Sequence, residues 1–127
     1  MKKDFKTLRI LVVDDEPLIR HCVARFLKKR ALVKTASTAE EALNEIEDQH
    51  YDLCFLDVIM PGKMTGLEAM KIINERSPNT KVAIMTATPL NEAMKEQVED
   101  YACALIEKPF NLSDVGAVAE MVEVALN

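Results

Sequence analysis

The feature that most constrains this chain is a strict alternation. Five short apolar runs are each followed by a longer stretch whose apolar residues recur with helical spacing. Leu8-Arg9-Ile10-Leu11-Val12-Val13 reads as a buried strand stopped by Asp14-Asp15. Glu16-Pro17 then supplies a helix start, an N-cap followed by proline at the first helical position. Ile19, Cys22, Val23 and Phe26 continue it at i, i+3, i+4 and i+7. Residues 31–36 form a weaker, alternating strand. Ser37 or Thr38 can cap the next helix, Glu40 and Glu41 suit its positive end, and Ala39, Ala42, Leu43 and Ile46 give its apolar face.

The third strand, residues 52–57, holds Leu53-Cys54-Phe55-Leu56 and again ends in an aspartate. Pro61, Gly62 and Gly66 mark a loop, and Leu67, Met70 and Ile73 carry a helix toward Ser77-Pro78. Lys81-Val82-Ala83-Ile84-Met85 is a fourth strand ending in Thr86. Leu90, Met94 and Val98 follow on a mostly polar helix, residues 102–106 make a short fifth strand, and Leu112, Val115, Ala119, Val122 and Leu126 stripe the last helix. Such an alternation predicts an α/β fold, a doubly wound five-stranded parallel sheet with five helices on its two faces. The continuous apolar runs of strands one, three and four mark them as central. Strands two and five belong at or near the edges.

A chain of 127 residues fits a single domain, 1–127, with about residues 6–126 folded, and is long enough to bury a core without staples. The net charge of −5 gives no basis for direct nucleic-acid binding. The apolar runs are too short to span a membrane, and Met1-Lys2-Lys3-Asp4 is not followed by a signal-peptide core, which points to the cytoplasm. Cys22, Cys54 and Cys103 are odd in number and widely spaced, which suits neither a disulfide framework nor a zinc site. They read as small buried apolar residues in a reducing compartment.

In open α/β sheets, ligands sit outside the carboxyl ends of the strands. Those ends carry Asp14 and Asp15, then Asp57, then Thr86, then Lys108. Three carboxylates brought together repel one another, and a divalent cation resolves the conflict. An all-oxygen donor set without His or Cys suits a hard ion, Mg²⁺ or Mn²⁺. Thr86 offers a hydroxyl donor and Lys108 a compact positive charge, so that donor, cation and metal form a clamp for a phosphoryl group. A carboxylate in such a clamp can be the nucleophile. Asp57, alone at the end of a central strand, is the candidate.

Asp14-Asp15, Asp57 within Leu56-Asp57-Val58-Ile59-Met60-Pro61-Gly62, Thr86, and Lys108-Pro109-Phe110, taken in order, resemble the receiver domain of bacterial response regulators over essentially the whole chain. The resemblance implies a flavodoxin-like strand order 2-1-3-4-5. It implies that Asp57 takes a phosphoryl group from a histidine kinase or a histidine phosphotransfer protein. By the same resemblance Asp15 ligates Mg²⁺ directly, Asp14 acts partly through water, and the Ile59 carbonyl completes the metal site. Thr86 and Lys108 then hold the phosphoryl group, and the surface of helix 4, strand 5 and helix 5 changes shape for a downstream effector. That switch face could also carry a homodimer. On this reading the chain catalyses only its own phosphorylation and dephosphorylation.

Some positions depart from the family pattern. An aromatic residue usually stands three before the lysine, where this chain has Leu105. The loop from Met60 to Gly66 is one residue longer than the common form, and the stretch before strand five lacks the usual glycine. Apolar Ile59, with Thr88, flanks the path of hydrolytic water, which predicts slow loss of the phosphoryl group. Leu105 supports an alternative, a pseudo-receiver that binds partners without phosphorylation. A phosphohydrolase with an aspartyl nucleophile would need a general-acid aspartate where Ile59 stands. A flavodoxin would bring its FMN phosphate against two acids. His21 and His50 read as surface residues, and a phosphohistidine module would be an all-helical bundle, against the five strands.

Overall fold

A computed structural model describes residues 8–126; Met1-Lys2-Lys3-Asp4 and residues 6 and 7 of the expected folded span lie outside the described residues. The elements run β1 (Arg9–Val13), α1 (Pro17–Leu27), β2 (Leu32–Ala36), α2 (Ala39–Asp48), β3 (Leu53–Asp57), α3 (Gly66–Arg76), β4 (Lys81–Thr86), α4 (Glu92–Tyr101), β5 (Ala104–Glu107) and α5 (Leu112–Leu126). All four strand pairings are parallel, in the order β2-β1-β3-β4-β5. The expected order therefore holds, with the weak second and fifth runs at the edges. β3 is buried at all five positions, as a central strand covered on both faces must be.

Period-two alternation divides the core into two layers. On one face Leu11, Val13, Cys54, Leu56, Val82 and Ile84 pack against α2, α3 and Val98 of α4. On the other, Ile10, Val12, Leu53, Phe55, Ala83 and Met85 pack against α1 and α5. Each fully buried Leu, Ile or Phe contributes on the order of 2 kcal/mol of transfer free energy.

Helix starts follow local chemistry. Thr38 accepts from the Glu41 N–H, Asn91 from the Met94 N–H, and Thr65 and Glu68 form a reciprocal capping box. Asn91 therefore starts α4 after Leu90, which lies outside the helix. β5 likewise begins at Ala104, two residues later than its apolar run suggests.

Two expectations from helical spacing and one about the cysteines are corrected. The buried face of α1 is Val23, Ala24 and Leu27, so Cys22 faces solvent and is not a core residue. Leu112 and Leu126 are 38% and 48% exposed, and Val118 takes part in the α5 stripe instead. Cys103 is only half-buried, whereas Cys54 is fully buried, which pushes its thiol up to about 12. A thiol reagent applied to the native protein at neutral pH is expected to label Cys22 first and Cys54 only on unfolding. Peptide mass mapping checks this, and rapid native labelling of Cys54 would contradict the packing.

Candidate functional site

The carboxyl ends of β1, β3 and β4 and the segment after β5 open on one edge of the sheet. Asp14 follows β1 directly and is fully buried. Its backbone N–H donates to the Ala36 carbonyl at 3.2 Å, and its own carbonyl accepts from the Arg20 guanidinium at 2.8 Å. Asp57 is the last residue of β3 and nearly buried, in register with Met85 of β4. Lys108 follows β5; its N–H donates to the Thr86 carbonyl at 2.8 Å, and its peptide bond to Pro109 is cis.

The Lys108 ammonium ties these ends together. Nζ donates to Asp14 Oδ2 at 2.7 Å and to Asp57 Oδ2 at 2.9 Å, and lies 3.3 Å from Glu16 Oε1. Only 6% of the lysine side chain is exposed, so these bonds are made with little water around them. Burial alone would lower the Lys108 pKa, but the hydrogen bonds and charges of Asp14 and Asp57 outweigh it and hold the ammonium above its ordinary value. Asp57 moves upward as well. Burial pushes its carboxyl up and the Asp14 charge adds to that, while Lys108 and the Ile59 N–H pull it back only in part.

Asp14, Glu16 and Asp57 each offer a carboxylate oxygen, and the three oxygens lie within 4.8 Å of one another. Three carboxylates against one ammonium leave a formal excess of two negative charges, with Asp14 and Asp57 buried and Glu16 at the solvent rim. The hard, all-oxygen donor set fits a divalent cation of the Mg²⁺ type.

Of the residues singled out from sequence, Asp14, Asp57 and Lys108 meet. Asp15 is exposed and stands outside the three-carboxylate group. Thr86 is buried, and its hydroxyl accepts the Thr88 N–H at 3.0 Å rather than bonding to Asp57 or Lys108. Ile59 lies two residues beyond Asp57 and is 58% exposed. Both histidines are exposed, and His50 pairs with Asp52 at 3.1 Å.

Sequence reasoning missed two residues. Glu16 is the N-cap of α1, but its side chain makes no cap hydrogen bond and turns to Lys108. Glutamate is not among the favoured N-cap residues, and that mismatch was a readable signal. From sequence Gly66 reads as loop punctuation. A Cβ on it would sit 1.8 Å from the Asp57 carbonyl oxygen, and its N–H donates to the Val58 carbonyl at 2.8 Å. The strand end that carries Asp57 is therefore braced by the first turn of α3.

A parallel sheet in this order, with buried acids and a lysine clamped at its carboxyl edge, defines the receiver class of signalling domain. The sequence matches the family described as "Response regulator receiver domain" over residues 10–120, and the chain belongs to that family. It is 34% identical over 113 residues to the nitrogen assimilation regulatory protein NtrX of Azorhizobium caulinodans, covering 87% of this chain and 25% of that protein. Among solved structures, the BeF3-activated DrrB receiver domain is 30% identical with a TM-score of 0.81, over 91% of this chain and 96% of that one. The response regulator TrrA of Thermotoga maritima, solved in complex with Mg²⁺ and BeF, is 32% identical with a TM-score of 0.80, over 91% and 99%. The chain spans only about a quarter to a half of the length of the curated relatives it matches. Among the described residues, no helix is long and apolar enough to cross a membrane.

Proposed function

We propose that residues 1–127 act as one phosphoacceptor receiver, taking a phosphoryl group onto Asp57 from the phosphohistidine of a histidine kinase or a phosphotransfer protein. The observation that carries this reading is the Lys108 ammonium held between Asp14 and Asp57 at 2.7 and 2.9 Å, at the open edge of the sheet. An oxygen of the Asp57 carboxylate attacks phosphorus, the phosphorus–nitrogen bond breaks, and imidazole leaves. Asp15, exposed and next in sequence to the Asp14–Glu16–Asp57 group, would join the Asp14 and Asp57 carboxylates and the Ile59 carbonyl in holding Mg²⁺, which supplies charge neutralisation for the phosphoryl oxygens and for the crowded acids. Lys108 supplies a fixed positive charge where negative charge gathers. Thr86 accepts the Thr88 N–H through a lone pair, so its hydroxyl proton remains to be donated to a phosphoryl oxygen.

The surroundings support both ends of a signalling route. A groove of about 360 Å³ lined by Leu18, Ile19, Cys22, Pro109, Phe110 and Leu112 opens beside Lys108, and Leu18 is 76% exposed. It offers an apolar seat for the protein that brings the phosphoryl group. A second groove of about 280 Å³ joins Thr86 and Thr88 to Leu105 and Glu107 of β5. Movement of Thr86 toward a bound phosphoryl group would be felt there, which couples the site to the α4–β5–α5 surface.

Incubation with Mg²⁺ and acetyl phosphate, followed by intact mass, tests the reading. One added phosphoryl group per chain is expected, and none after chelation of the metal. A protein that stays unmodified, or that fails to bind Mg²⁺, would instead act as an unphosphorylated interaction module. Ile59 should also make the modified form long-lived, because an apolar side chain cannot orient water for attack. Ile59→Asn is expected to speed loss of the phosphoryl group several-fold once the donor is removed, and an unchanged decay would count against that role.

A further inference from the structure

Glu16 is placed by three local restraints. Pro17 fixes the first helical residue after it, the Glu16 N–H donates to Asp14 Oδ1 at 2.9 Å, and the Glu16 carbonyl accepts the Arg20 N–H at 3.0 Å. The backbone is thus pinned to a buried member of the acid group. The side chain is 58% exposed, yet its carboxylate reaches inward to Lys108 Nζ at 3.3 Å instead of capping α1. It therefore forms the rim of the site, with one end on the buried lysine and the other in water.

We propose that Glu16 is a positioning residue of the phosphoacceptor site, whose charge holds Lys108 back, strengthens divalent-cation binding and discriminates against small, highly charged phosphodonors. The inference rests on the receiver reading above. Glu16 makes the third acceptor around an ammonium that must also serve the incoming phosphoryl group. Its charge adds to those of Asp14 and Asp57 at a place where an entering cation gains and an entering anion loses. Because the carboxylate is more than half exposed, solvent and salt screen it. The effect on either ion is about three- to tenfold rather than several orders of magnitude. A phosphohistidine delivered by a docked protein brings its own binding contacts and is less affected than a free dianion.

The test compares wild type with Glu16→Gln and Glu16→Asp, after thermal melting shows that all three fold. Calorimetric titration of the unphosphorylated proteins with Mg²⁺ is expected to show about three- to tenfold weaker binding for the Gln variant. The Asp variant, which keeps the charge, should stay near wild type. At saturating Mg²⁺, intact mass then follows modification by acetyl phosphate, in which the Asp57 oxygen–phosphorus bond forms as acetate leaves. Phosphoramidate, which carries less negative charge at neutral pH, is the second donor. The Gln variant should gain more with acetyl phosphate than with phosphoramidate, and the gap should narrow as salt is added. Unchanged Mg²⁺ affinity in the Gln variant, or equal change with both donors at all salt concentrations, would overturn the role assigned to Glu16. Failure of wild type to accept a phosphoryl group from either donor would sink the receiver reading instead, and the titration would still judge Glu16.

Discussion

Asp57→Asn is expected to abolish uptake of the phosphoryl group from acetyl phosphate while leaving the fold intact. The amide keeps the shape of the carboxylate but has no anionic oxygen to attack phosphorus, so the loss should exceed about a hundredfold. Misfolding is not expected to explain it. The folded-state pKa of Asp57 is raised, so the ionised carboxylate costs folded-state free energy as pH rises from the ordinary carboxylate range through the shifted value. A neutral side chain escapes that cost. Lys108 would keep Asp14 at 2.7 Å and Glu16 at 3.3 Å as partners. Intact mass with and without donor, beside a thermal melt in metal-free buffer at neutral pH, checks both halves. Phosphoryl uptake by the Asn variant equal to wild type would remove Asp57 as the acceptor.

Gly66→Ala is expected to be among the most damaging single-methyl changes available in the chain. The added Cβ would meet the Asp57 carbonyl oxygen at 1.8 Å, its carbon at 2.7 Å and Val58 Cα at 2.9 Å. All three are backbone atoms of a central strand end, so no side chain can swing away. Relief requires α3 to back off from β3 or the Asp57–Val58 peptide to move, and overpacking against backbone that cannot swing aside falls at the upper end of the usual range, about 3 kcal/mol. Chemical denaturation should show the loss. Even a chain that still folds should accept phosphoryl groups poorly, because the displaced peptide carries Asp57, the proposed acceptor. Wild-type stability in Gly66→Ala would mean that the close approach of α3 to β3 is wrong. Gly62 makes a useful contrast: it has a φ of +119°, and the atoms nearest an added Cβ belong to the flexible Glu40 side chain. Substitution there is disfavoured by conformation and should leave Asp57 in place.

Much of this was legible in the sequence because two patterns reinforce each other. Apolar runs that stop at Asp14, Asp57 and Thr86 mark both buried strands and the end of the sheet where polar residues gather. The order of the strands came from resemblance to a family, since periodicity alone does not arrange parallel strands. Helix faces were less well read. The i, i+3, i+4 pattern through Ile19, Cys22, Val23 and Phe26 put Cys22 inside, but α1 lies on the sheet through Val23, Ala24 and Leu27. An 11-residue helix with apolar residues over a broad arc does not fix its own rotation; packing does. Glu16 escaped notice because a residue before a helical proline reads as a boundary, and only its missing cap bond shows that the side chain is engaged elsewhere.

The lysine knot joins residues 94 and 51 positions apart in the chain. No contiguous stretch of the polypeptide contains the whole chemistry. A nascent chain that has not yet released the segment around Lys108, or a nicked one that has lost it, leaves two facing carboxylates with no ammonium to reconcile them. The clamp thus exists only where β1, β3 and the segment after β5 are assembled together, and a chain broken before Lys108 lacks it.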